Sequence, residues 1–150
     1  MTAVPRYLVV ANQTLGGEHL VRHVRRLLAQ GPCSLHVLVP ATPPRDMAMW
    51  TEGEAHAVAR ERLRAALERL RGLGAEVDGE VGDPRPIEAI NDVLLRGEAF
   101  DGIILSTLPP GLSRWLRLDL PHRVEAQFGL PVTHIVGAPE AVPSRPGRGA

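Results

Sequence analysis

Lysine is absent from this 150-residue chain: all 17 basic residues are arginine, and 17 acidic residues bring the formal net charge to zero. We read the arginine bias as coding composition rather than chemistry. The zero balance excludes a general electrostatic grip on DNA, RNA or an anionic membrane. Cysteine is nearly absent too. Cys33 is the only one, which excludes an internal disulfide and suits a reducing compartment. It stands at the start of a predicted strand with no neighbour in sequence to activate it, so it reads as a structural thiol. No apolar run nears the roughly 18 residues of a membrane span, and the first residues lack a basic region followed by an apolar one. A soluble, cytoplasmic protein is expected. Aromatic residues make up 3%, and the two tryptophans, Trp50 and Trp115, fall in predicted loops.

What remains is a regular alternation of short apolar runs and amphipathic segments. Tyr7–Ala11, after Pro5, is too short for a helix and suits a buried strand. Gly16-Gly17 opens a helical pattern with Leu20, Val24, Leu27 and Leu28 on one face, stopped at Gln30-Gly31-Pro32. Ser34–Val39 is a second strand, ended by Pro40, and a long loop covers 41–50. Thr51-Glu52-Gly53-Glu54 is a capping box ahead of the longest helix, whose stripe runs from Ala55 to Leu70 before Gly72 and Gly74. Glu76–Val81 is a third strand. Asp83 as N-cap and Pro84 at the first helical position start the next helix, with Ile87, Ile90, Val93 and Leu94 facing inward. Gly102–Leu105, reaching toward Thr107, is the fourth strand. A basic loop, a short helix over Pro121–Phe128 ended by Gly129, and a fifth strand, Pro131–Val136, complete the pattern.

This spacing predicts an α/β fold: three layers around an open, five-stranded parallel sheet of order 3-2-1-4-5. Residues 1–137 form the domain, and 138–150, rich in Pro, Gly and Arg, a mobile tail. In such a sheet, ligands sit beyond the strand carboxyl ends at the switch point. The facing loops are then Ala11–Thr14 and Ser106–Gly111, the second with prolines where a phosphate cradle prefers glycine.

Other residues read more plainly. His19 and His23 are one helical turn apart, a metal-ligating spacing, but no third ligand is apparent and two surface histidines are the simpler account. His36 and His134 lie in strands and read as hydrogen-bonded structural residues. Ser106 and Thr107 are hydroxyls with no base assignable from sequence, and no nucleophile elbow, Walker loop or paired cysteine is present. Arg114, Arg117 and Arg123 read either as a solvated loop with Asp119 as ion-pair mate or as phosphate contacts. Trp50 and Trp115 read as core-edge covers or as stacking surfaces.

From Tyr7 to Val136 the chain resembles the universal stress protein family, whose fold is adenine-nucleotide alpha hydrolase-like. Leu8-Val9-Val10-Ala11-Asn12-Gln13-Thr14 is similar to its first strand and Val-Asp-Gly-Ser turn, and Leu35-His36-Val37 to its second strand. Gly82-Asp83-Pro84 with Ile87, Phe100-Asp101-Gly102-Ile103-Ile104 and Pro131-Val132 follow in the family's order. The ATP-binding members carry, after the fourth strand, two glycines separated by two residues, then nine residues, then Gly with Ser or Thr. Here Gly111 matches the second glycine, Pro121-His122 stand in place of the last pair, and Leu108 or Ser106 stands at the first. Asn12 replaces the turn aspartate.

The resemblance implies a binding or regulatory module of the stress response, not a catalyst. Its ligand would be ATP or another adenine nucleotide, with no metal beyond nucleotide-associated Mg²⁺. Ala11, Asn12 and Thr14 would line one side of its site, with Val37 beneath the base. Leu105, Ser106, Gly111, Arg114, His122 and Arg123 would line the other. A homodimer through the fifth strand, Pro131–Val136, is expected, since an uncovered edge leaves backbone groups unpaired. Two other classes stay open: an enzyme of nucleotides or phosphorylated metabolites using Arg114, Arg117 and His122, and a ligand-free protein-interaction domain.

Overall fold

A computed structural model describes residues 4–43 and 51–137; Trp50 and the expected tail lie outside them. The elements run β1 (Arg6–Val10), α1 (Glu18–Gln30), β2 (Ser34–Pro40), α2 (Glu52–Gly72), β3 (Glu76–Gly82), α3 (Pro86–Leu95), β4 (Gly102–Thr107), α4 (Arg114–Arg117), α5 (Leu120–Phe128) and β5 (Val132–Val136). The strands form one parallel sheet in the order β3-β2-β1-β4-β5, as expected.

Both faces of the sheet are covered, which is why its central strands are continuous apolar runs. Leu8 and Val10 of β1 and Ile103 and Leu105 of β4 pack toward Ile90 and Val93 of α3 and Val124 of α5. Val9 of β1 and Ile104 of β4 pack toward Leu20 and Val24 of α1 and Leu63 and Leu70 of α2. The chain steps one way through β1, β2 and β3, then crosses back to β4 and β5, so right-handed crossovers put the two helix sets on opposite faces. No described helix is long and apolar enough to cross a membrane.

Local chemistry sets the boundaries. The Thr51 hydroxyl accepts the Glu54 N–H at 3.1 Å, one half of the expected capping box. Acidic Glu52 and Glu54 at the start of α2 and basic Arg69 and Arg71 at its end complement the helix dipole. β1 starts and stops one residue earlier than expected, at Arg6 and Val10.

Helix α3 starts at Pro86, not at Asp83-Pro84. The Asp83 carboxylate accepts the backbone N–H of Arg85 at 2.8 Å, forming a turn ahead of the helix, and Pro86 takes the first helical position. The basic loop contains α4, capped by the Ser113 hydroxyl, which accepts the Leu116 N–H at 3.1 Å. Trp115, expected in a loop, sits in that turn and is buried with Leu120 and Val124. It covers the core edge and offers no face for stacking.

Candidate functional site

The direction of chain progression reverses between β1 and β4, and the turns that leave these two strands meet there. Thr14 Oγ1 lies 2.5 Å from Ser106 Oγ, and His19 Nε2 lies 2.8 Å from the same oxygen. Thr14 and Ser106 are each only 1% exposed. The Gly17 N–H donates to the Thr14 carbonyl at 3.0 Å, which starts α1 and brings His19 over the end of β4.

The His19 ring fills the gap between two glycines. A Cβ on Gly137 would stand 1.9 Å from it, and one on Gly17 2.5 Å. Burial, and secondarily the charge of Arg22, hold the His19 pKa below its ordinary 6.5. The ring is therefore neutral near pH 7, and with its proton on Nδ1 it accepts the Ser106 hydroxyl, to which Thr14 donates in turn. His19 is thus a part of the site and not a surface histidine. His23 is half-buried one turn on, its pKa lowered by burial and by Arg26.

Asn12 closes a second side. Its amide nitrogen donates to the carbonyls of Pro40 at 2.8 Å and Thr42 at 3.3 Å, and its oxygen accepts from Arg62 Nη1 at 2.6 Å. The turn after β1 is thereby tied to the end of β2. Ala11 is fully buried beside it, its N–H donating to the Leu38 carbonyl.

The other expected site residues divide into two groups. Val37 and Leu105 are fully buried in the core, Val37 level with Val9 in mid-strand. Gly111, Arg114, Arg117, His122 and Arg123 are exposed on the loop, α4 and α5. Asp119 does not pair with these arginines among the described residues: its carboxylate meets His122 Nδ1 at 3.3 Å, while Arg123 Nη1 donates to the Leu118 carbonyl at 3.4 Å. Thr107 Oγ1 donates to the Leu108 carbonyl and accepts from His134 Nε2, which leaves this strand histidine in a structural role.

No family model and no curated protein matches the sequence. Solved structures do match. A universal stress protein in complex with cAMP is 19% identical, with a TM-score of 0.56 over 89% of this chain and 98% of that one. A universal stress protein from Archaeoglobus fulgidus is 15% identical, with a TM-score of 0.59 over 87% and 93%. The Archaeoglobus fulgidus universal stress protein in complex with dAMP is 16% identical, with a TM-score of 0.58 over 90% and 99%.

The fold is that of a universal stress protein. Against the glycine pattern of the ATP-binding universal stress proteins, the start of α5 is the place of greatest departure. Asp119, its N-cap, has φ 55° and is the only non-glycine residue with positive φ among those described. A left-handed residue thus stands two residues before Pro121, and it is an acid. A carboxylate there opposes an anion at the helix start, and Pro121 withholds an N–H. Sequence reasoning missed His19, Gly17 and Gly137 as site residues. The strand order alone could have brought α1, β4 and the end of β5 together.

Proposed function

We propose that the chain is a regulatory module that binds an adenine nucleotide carrying a single phosphate in the crevice between the turn after β1 and segment 106–123. The observation that carries this reading is the meeting of Thr14, Ser106 and His19 at the switch point, where this class of sheet takes its ligands. Two similar structures are complexes with cAMP and dAMP. Arg114, Arg117 and Arg123 supply guanidiniums suited to a phosphate. Asp119 and Pro121 disfavour further phosphates, one by charge and the other by its missing donor. Ser106 beside an imidazole has the pairing of an activated nucleophile. Ser106 as a whole is only 1% exposed, so the reading is binding and not turnover.

Melting temperatures with AMP, cyclic AMP, ADP and ATP test this. At 100 times Kd a ligand adds about 2.7 kcal/mol, or about 8 °C for a chain of this size. AMP or cyclic AMP is expected to give the larger shift and ATP the smaller. No shift with any of the four overturns the reading and favours a ligand-free interaction domain.

The module is further proposed to form a homodimer through β5. This edge strand exposes Thr133 and His134, and Val136 is 46% exposed. Sedimentation at micromolar concentration is expected to give twice the 16.2 kDa chain mass; a monomer contradicts the dimer.

A further inference from the structure

On the face of the sheet that carries α3, away from the crevice, β2 and β3 hold a polar cluster at the sheet edge. His36 is 5% exposed, and the strand register sets it opposite Asp78. Its Nδ1 lies 2.9 Å from Asp78 Oδ1 and its Nε2 2.7 Å from Glu80 Oε2. Arg96, just past the end of α3, bridges two carboxylates. Its Nη1 donates to Glu80 Oε1 at 2.9 Å, and its Nη2 to Glu80 Oε2 and, at 2.9 Å, to Glu98 Oε2. Arg6 lies behind, 3.3 Å from Glu98 and 3.6 Å from Asp78, with its guanidinium over the Phe100 ring. One ligand atom each from His36, Glu80 and Glu98 lie within 4.8 Å of one another.

We propose that this cluster is a divalent transition-metal site whose place is held by the Arg96 guanidinium. Zn²⁺ displaces Arg96 and takes His36 Nε2 and one oxygen each from Glu80 and Glu98. The proton on Nε2 leaves to solvent, and Asp78 keeps the proton on Nδ1. Three features of the cluster support this assignment. An imidazole with a carboxylate on its far nitrogen is the orienting pair of metal-binding histidines. Here that imidazole is nearly fully buried and points its other nitrogen at Glu80, with Glu98 held beside Glu80 by Arg96.

Charge points the same way. Asp78, Glu80 and Glu98 outnumber Arg6 and Arg96, and exchanging Arg96 and the Nε2 proton for a dication leaves the summed charge of the cluster unchanged. Geometry is the third feature. A tetrahedral shell with bonds of about 2.0–2.1 Å sets its ligand atoms ~3.4 Å apart. Glu80 and Glu98, their side chains 29% and 31% exposed, can swing inward to that spacing. The Arg96 side chain is 49% exposed and can move out into water. One imidazole with two carboxylates suits Zn²⁺ better than Mg²⁺ or Ca²⁺, which take oxygen shells.

Calorimetric titration of the full chain, stripped by chelator, with zinc chloride tests the site. Arg96→Ala is expected to bind one Zn²⁺ at least tenfold tighter than wild type. Glu98→Gln is expected to bind at least tenfold more weakly than wild type. Arg96 is exposed and Glu98 partly so, and circular dichroism of each variant is to check that it is folded. His23→Ala, which breaks the helical histidine pair, is expected to leave zinc affinity unchanged. The proposal is overturned if Arg96→Ala binds no tighter than wild type or takes up no zinc at 100 µM, a working concentration on the order of an accessible Kd. It is equally overturned if Glu98→Gln matches wild type, or if His23→Ala abolishes binding.

Discussion

Valine in place of Gly79 is expected to destabilise the fold by about 3 kcal/mol or more, at the upper end of overpacking costs. Gly79 lies in β3 directly opposite Val37 of β2. A Cβ at this position would stand 2.5 Å from the Val37 carbonyl oxygen, 2.7 Å from Leu63 Cδ1 and 3.2 Å from Val37 Cβ. The tip of Leu63 can rotate away. The Val37 carbonyl cannot, because it belongs to the sheet backbone that both strands share. The glycine is what lets α2 lie this close to the β2–β3 pair, with Leu63 resting in the space a side chain would fill. Urea unfolding should show a lower midpoint with an unchanged slope, the mark of lost stability without a changed unfolded state. A loss below about 1 kcal/mol would mean that α2 stands off the sheet at this point.

The second large effect belongs to Asn12→Asp, the change toward the turn aspartate of the universal stress proteins. The substitution removes the amide that donates to Pro40 and Thr42 and sets a carboxylate oxygen against both carbonyls at a position 6% exposed. Arg62, which donates to the other oxygen at 2.6 Å, offsets part of this. We expect a net loss of about 2–4 kcal/mol near pH 8, the scale of buried polar groups left facing their own kind.

The sign of the pH dependence follows from the same contacts. Protonated, the introduced carboxyl can donate to the Pro40 carbonyl, so the folded state holds that proton more tightly than the unfolded chain, where the pKa is about 3.9. A raised folded pKa for an acid means little penalty below the unfolded value and a growing one as pH rises through the folded value. The deficit relative to wild type should therefore be larger at pH 8 than at pH 4. A deficit that shrinks instead would show that the Arg62 ion pair outweighs the two carbonyls.

The sequence foretold the path of the chain well because each strand is a compact apolar run between turn residues. The order 3-2-1-4-5 then brought Ala11–Thr14 beside Ser106, and the hydroxyl contact of Thr14 realises that juxtaposition. What escaped is what depends on distant partners. His19 and Ser106 are 87 residues apart, and His36 meets Asp78 and Glu80 across 42 and 44 residues. No spacing rule reaches so far. The start of α3 escaped for a local reason: Pro84 and Pro86 both satisfy the first-turn rule. The Asp83 carboxylate selects the later one by holding the Arg85 N–H outside the helix. Trp115 was ambiguous because Ser113 caps a helical turn too short to carry a periodic signal.

The central place of β1 shapes the birth of the molecule. Arg6 and Asp101, hydrogen-bonded where β1 and β4 begin, are 95 residues apart. At ribosomal speeds that interval lasts roughly 5–20 s. Throughout it, one flank of the nascent apolar ribbon Leu8-Val9-Val10 waits bare while the other can already zip to Leu35–Leu38. Chaperone demand in the cell should therefore fall on this half-finished intermediate rather than on the mature domain.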